Sequence, residues 1–144
     1  MSRKEKLSVK IAENIISLSS PTYIIAELSA NHNNDFSLVM DTLEAMKEAG
    51  ADAVKLQTYR PDTITLDSDL EIFKTRKESL GKGRKFYDLF EEAYMPWEWT
   101  KDIIKRANEL GMDCFSSPFD FSAVDYLEDL NVPAYKIASP EIVD

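Results

Sequence analysis

Three stretches of the chain carry apolar residues at helical spacing. Phe36, Val39, Met40, Leu43 and Met46 form one stripe, Thr100, Ile103, Ile104, Ala107 and Leu110 a second, and Ala123, Val124, Leu127 and Leu130 a third. Side chains that face one layer must recur every three or four residues, so each stripe predicts an amphipathic helix. Asn34 or Asp35 can cap the first, Pro96 opens the approach to the second, and Asp120 can cap the third. Each stripe runs into a similar phrase. Lys47-Glu48-Ala49-Gly50-Ala51-Asp52-Ala53-Val54-Lys55 is the first, Asn108-Glu109-Leu110-Gly111-Met112-Asp113-Cys114-Phe115-Ser116 the second, and Glu128-Asp129-Leu130-Asn131-Val132-Pro133-Ala134-Tyr135-Lys136 the third. Gly and Asn are the residues that readily take the left-handed conformation after a helix end, so each phrase reads as a helix-to-strand junction. With the β-rich run Tyr23 to Leu28 in front, the order is strand, helix, strand, long insert, helix, strand, helix, strand. That order predicts an α/β fold with a parallel sheet of four strands.

Two segments fall outside this frame. Between Thr58 and Pro96 lies a connection that is polar at residues 67–69 and 81–85 and amphipathic from Phe86 to Ala93, which predicts a loop plus an extra helix. Residues 1–22 form an N-terminal extension, where Leu7, Val9 and Ile11 followed by Ile15, Ile16 and Leu18 suggest a β-hairpin; the core domain then runs over 23–144.

Alternation splits each strand into two faces. One face reads as apolar: Ile24, Ala26 and Leu28, then Val54 and Leu56, then Met112, Cys114 and Ser116, then Tyr135 and Ile137. The other brings Glu27, Lys55, Gln57, Ser117 and Lys136 toward the C-terminal ends of neighbouring strands, where α/β proteins build their sites. A single lysine at a strand end ordinarily reaches solvent and does nothing more. Two lysines and a glutamate on one face of otherwise apolar strands would cost several kcal/mol to desolvate unless paired or held for an anion. A phosphate or carboxylate site is the reading that accounts for them together.

Charge narrows the partners. The 144 residues hold 17 Lys and Arg against 26 Asp and Glu, a net −9, which argues against nucleic acid. Lys82, Arg84 and Lys85 read as a solvated loop, with contact to a phosphate as the alternative. One Cys and one His, Cys114 and His32, offer neither an intrachain disulfide nor a metal cluster, so His32 reads as a structural hydrogen-bonding group and the cytoplasm as the expected compartment. Trp97 and Trp99 read as packing residues. Lys10 and Glu13 interrupt the N-terminal apolar runs, which fits neither a signal peptide nor a membrane span.

The phrases Ile25-Ala26-Glu27-Leu28-Ser29-Ala30-Asn31-His32, Val54-Lys55-Leu56-Gln57-Thr58-Tyr59, Phe115-Ser116-Ser117-Pro118-Phe119 and Tyr135-Lys136-Ile137-Ala138-Ser139-Pro140-Glu141 resemble the sialic acid synthase family, in order and spacing, from about Tyr23 onward. The Glu-Leu-Ser-Ala-Asn-His form and the stretch from Tyr59 to Leu66 look most like its pseudaminic acid branch. The resemblance implies a (β/α)8 TIM barrel, of which this chain would hold about the first four strands. It implies a condensation of phosphoenolpyruvate with an acetamido sugar aldehyde to a nine-carbon acid and phosphate. By position, Lys55, Ser117, Lys136 and Ser139 would hold phosphoenolpyruvate. Glu27 would be the general base or water-positioning group, and Gln57 and Glu141 would contact the sugar. A divalent metal, Mn2+ or Mg2+, is expected for the whole enzyme, with its ligands outside this chain.

A whole barrel needs roughly 250 residues, so the resemblance also implies a partial catalytic domain that lacks the later strands, the metal-binding histidine pair and the C-terminal antifreeze-like domain. Ser117 stands where the neuraminate enzymes carry Thr, and Pro140 where relatives often carry Gly or Phe. Open sheet edges predict self-association or pairing with the missing half, and little activity from these residues alone. Other readings stay open: an N-acetylneuraminate or legionaminate synthase, a class I aldolase with Lys136 or Lys55 as Schiff base, and a non-catalytic assembly module in which Glu27 merely pairs with Lys55.

Overall fold

The computed structural model describes residues 7–79 and 81–143. A short antiparallel hairpin, β1 (Ser8–Ile11) and β2 (Asn14–Ser17), precedes the core; the first six residues of the extension lie outside the described set. The core elements are β3 (Ile25–Glu27), α1 (Phe36–Glu48), β4 (Ala53–Thr58), α2 (Pro61–Ile64), α3 (Phe86–Ala93), α4 (Thr100–Glu109), β5 (Asp113–Pro118) and α5 (Phe121–Asp129). Strands β3, β4 and β5 lie side by side and parallel, in that order, with Glu27 opposite Lys55, Lys55 opposite Phe115 and Gln57 opposite Ser117.

Capping fixes where the helices begin. Asp35 accepts the N–H groups of Ser37 and Leu38 at the start of α1, and Asp120 accepts that of Ala123 at the start of α5. The helix-to-strand junctions turn through left-handed residues, Gly50 at φ 91°, Gly111 at φ 71° and Asn131 at φ 54°. The third junction carries a Cβ at some cost, which asparagine tolerates better than most residues.

The helices bury their stripes on one side of the sheet. Val39 and Leu43 of α1 and Ile103 and Ala107 of α4 meet Leu28, Val54, Leu56, Met112 and Cys114 in one core. The apolar face predicted from alternation is therefore the helix-facing one. Ala123 and Leu127 of α5 are buried as well. Cys114 sits in the middle of this layer at 1% exposure, and burial together with the neighbouring Asp113 charge pushes its thiol up to about 12.

The fourth strand is a correction. After Asn131 the described chain meets the sheet in one parallel bridge, Ser116 with Tyr135, and one backbone hydrogen bond, Lys136 N–H to the Ser116 carbonyl at 3.1 Å. Pro133 brings no N–H to a ladder and, among the described residues, nothing pairs with the segment's outer edge, so pairing stops at a single rung.

The hairpin is tied to the opposite end of the sheet from the strand C-termini. Asn14 donates to the Asp113 carboxylate at 2.8 Å, and the Tyr23 hydroxyl donates to the same oxygen. Burial, with the charge of Asp113, drives the Tyr23 hydroxyl well above its ordinary value.

Candidate active site at the strand C-termini

The face of the sheet turned away from the helices carries an alternating set of polar groups. Lys55 is 5% exposed on the central strand, and its Nζ lies 3.3 Å from Glu27 Oε1 on the neighbouring strand. Phe115 flanks Lys55 on the other side at the same level and is buried. One step further along, Gln57 and Ser117 stand opposite each other. Ser117 is 1% exposed, and its hydroxyl has no hydrogen-bond partner among the described residues. An orphaned hydroxyl in a buried position is costly unless something outside the described chain completes it. Lys136 follows the single bridge to Ser116 and is exposed, as is Ser139. Glu27, Lys55, Gln57, Ser117 and Lys136 are thus gathered on adjoining segments at one end of the sheet. Ser139 and Glu141 flank Pro140 in a short 3-10 turn. Glu141 lines an open cleft of about 460 Å3 with Phe119, Asp120, Phe121, Val124 and Ile137, beside the first turn of α5.

The loops above the site are fixed by aromatic and polar contacts. Tyr59 is buried edge-on between Phe90 and Phe119, with ring centroids 5.7 Å away in both pairs, and burial pushes its hydroxyl up to about 12. Trp97 donates to the Tyr59 carbonyl at 3.1 Å, stacks on Tyr126 and carries the Arg60 guanidinium 4.2 Å over its ring. Both tryptophans pack, since Trp99 lies edge-on to Phe36 and His32.

His32 is 1% exposed and both ring nitrogens are used. Nδ1 accepts the Asn34 N–H at 3.1 Å, which leaves Nε2 to donate to the Ala93 carbonyl at 3.3 Å. Burial holds this imidazole below its ordinary value, against the smaller upward pull of the Ala93 bond. A ring so engaged is no metal ligand, and among the described residues no three His, Cys, Asp or Glu side chains come together to hold an ion. The described residues by themselves do not make a metal site.

Two features of the site are absent from the sequence reading. Thr58 and Ser116, both buried on the helix side of the strand ends, share a hydrogen bond at 2.7 Å. Two hydroxyl residues of the same parity near the ends of neighbouring strands, offset by two in register, were the available signal. The other is the place of Phe115, which parity puts on the same face as Ser117 but which stands as an apolar wall directly beside Lys55 only once register is known.

The NeuB family model matches residues 42–144, more than half of the chain. The chain belongs to the NeuB family. It is 48% identical over 124 residues to a pseudaminic acid synthase of Helicobacter pylori, covering 86% of this chain and 36% of that protein. Against an N,N'-diacetyllegionaminic acid synthase of Legionella pneumophila the identity is 34%, over 88% of this chain and 35% of that one. The chain therefore spans about a third of the length of these NeuB relatives. Among solved structures, an N-acetylneuraminic acid synthetase of Leptospira borgpetersenii superposes with a TM-score of 0.73 at 24% identity, over 94% of this chain and 42% of that one, which speaks for a shared fold. No helix among the described residues is long and apolar enough to cross a membrane.

Proposed function

We propose that this chain is part of a synthase that condenses phosphoenolpyruvate with an acetamido sugar aldehyde, giving a nine-carbon sialic-type acid and phosphate, with pseudaminic acid as the favoured product. The fold is read as the first part of a TIM barrel. The observation that carries the proposal is the buried Ser117 hydroxyl, without a hydrogen-bond partner among the described residues and diagonal on the sheet to the buried Lys55. A fixed cation beside an unfilled hydroxyl suits an anion with several oxygens. The 48% identity to a pseudaminic acid synthase supports the product class.

In this reading Lys55, Ser117, Lys136 and Ser139 bind the carboxylate and phosphate of phosphoenolpyruvate and orient its enol carbon toward the aldehyde. That carbon attacks the aldehyde carbon, whose oxygen takes up a proton to become a hydroxyl; water adds to the cationic carbon left behind and loses a proton, and the tetrahedral carbon collapses to the ketone as its bond to the phosphate oxygen breaks and phosphate departs. Glu27, anchored by Lys55 yet half-exposed, positions the water or takes its proton. Gln57 and Glu141 orient the sugar. A divalent ion belongs to this reading only as one held by groups outside the chain, and no step above is routed through it.

Calorimetric titration of this chain with phosphoenolpyruvate tests the proposal. Saturable binding that Lys136→Ala abolishes is the expected result, and binding unchanged in the variant would remove Lys136 from the site. Burial of Lys55 also suits a Schiff-base lysine. Borohydride trapping with pyruvate separates the two: the synthase reading expects no adduct, and a covalent pyruvyl adduct on Lys55 or Lys136 would replace it with the aldolase.

A further inference from the structure

An acidic protein that collects an anionic substrate works against its own field. The chain sums to −9, yet the segment 74–85 holds six of its 17 basic side chains and a single acid, Glu78, leaving −14 on the rest. Its shape is built. Lys74 and Lys85 form an antiparallel bridge at the base, Thr75 N–H donates to the Arg84 carbonyl at 2.9 Å, and Gly83 N–H donates to Thr75 Oγ1 at 3.0 Å. A Cβ on Gly81 would fall 2.5 Å from that threonine side chain, and Gly83 has φ +79°, so both turns call for glycine.

The six cations divide by task. At the base, Lys74 pairs with Glu71 at 3.0 Å, Arg84 with Glu92 at 2.7 Å and Lys85 with Asp67 at 2.6 Å. At the tip Arg76, Lys77 and Lys82 are exposed, and none has a carboxylate within 4.0 Å among the described residues. Their backbones help to turn the loop, Ser79 N–H and Oγ donating to the Arg76 carbonyl and Lys82 N–H to the Ser79 carbonyl, but their charges are spent in no ion pair among the described residues.

The insert that carries the tip belongs to the same end of the sheet as the candidate site. The chain leaves β4 at Thr58 and re-enters α4 at Thr100, so the whole insert is a connection at the strand C-termini. Arg84 and Lys85 fasten the loop to α3 through Glu92 and Asp88. The end of α3 is fastened in turn to the loop after Glu27, by His32 to the Ala93 carbonyl and by Asn34 to the Glu92 carbonyl at 3.3 Å.

We propose that the Arg76, Lys77 and Lys82 tip is a steering element that gathers phosphoenolpyruvate toward Lys55 and Ser117, acting on the association rate and not on the reaction itself. This rests on the function proposed above. Charge that is in no ion pair among the described residues, on a loop fastened at its base, raises the local concentration of a multiply charged anion that the acidic remainder of the chain repels.

The test is stopped-flow association of phosphoenolpyruvate with this chain at about 0.01 M and about 1 M salt, where the screening length is about 30 Å and about 3 Å. Three proteins are compared: the parent, the tip variant R76Q/K77Q/K82Q, and a control with the same change in net charge far from the tip, K10Q/K47Q/K105Q. The tip variant should associate about tenfold more slowly than the parent at low salt, match it at high salt, and dissociate at the parent rate. The control should keep most of the parent rate at both. A control slowed as much as the tip variant, or a tip variant with the parent's rates, would overturn the inference. A parent that binds no phosphoenolpyruvate at either salt would instead remove the function on which the inference rests, and the inference with it.

Discussion

Lys55 and Glu27 face each other across neighbouring parallel strands with 3.3 Å between Nζ and Oε1, the lysine side chain 7% exposed and the glutamate 55%. The partners are unequal. Water reaches the carboxylate, whereas the ammonium is nearly closed off and, among the described residues, has that one carboxylate oxygen as its counter-charge.

Removing the exposed partner should therefore hurt the buried one. Glu27→Gln leaves Lys55 without a counter-charge and should cost about 1–2 kcal/mol, less than for a fully buried pair because solvent screens the carboxylate. Phosphoenolpyruvate should restore part of that loss, so its stabilising shift in thermal melting should be larger in the variant than in the parent. Equal shifts would mean that the ligand does not reach Lys55.

Ser117→Ala removes a buried hydroxyl that bonds nothing among the described residues. Melting temperature should hold or rise slightly, while affinity for phosphoenolpyruvate should drop by about five- to tenfold, the worth of about 1–1.4 kcal/mol. A variant that loses stability and keeps its affinity would show that the hydroxyl is bonded within the protein.

Thr58 and Ser116 bond each other at 2.7 Å, away from solvent. Thr58→Val or Ser116→Ala alone strands one hydroxyl and should cost about 1–3 kcal/mol in chemical denaturation. The double variant strands neither, so it should cost less than the two single losses added together.

His32 makes stability depend on pH. Burial lowers its proton affinity in the folded state below the ordinary 6.5, so between the two values the unfolded chain binds more protons. Its contribution is fully present above pH 6.5 and is lost as the pH falls through the lower, folded value. Protonation also removes the acceptor for Asn34 N–H. Urea denaturation at a series of pH values should show that fall in the parent. His32→Gln should flatten it while costing about 1–3 kcal/mol at neutral pH.

Periodicity made the helices and the two faces of the sheet legible, because a 3.6-residue stripe and a two-residue alternation each follow from local geometry. Asp35, Asp120 and the left-handed Gly50, Gly111 and Asn131 stand where capping chemistry puts them. The segment after Asn131 reads as a strand by composition but forms one rung, since pairing depends on a neighbour that lies far away in the chain or outside it. The same limit hid Phe115 beside Lys55 and the Thr58–Ser116 bond, both of which require register. Parity alone gathered Glu27, Lys55, Gln57 and Ser117 at one end of the sheet. It is silent on Ser139 and Glu141, which sit in a 3-10 turn where alternation no longer applies.

Cys114, the one thiol in the chain, lies between the sheet and its helices, and burial pushes it up to about 12. At neutral pH it is neither ionised nor within reach of a reagent until those two layers separate. Its alkylation rate is therefore a clock built into the molecule, one that ticks only when the core opens. Read beside the urea stability, that clock distinguishes a local parting of the layers from complete unfolding.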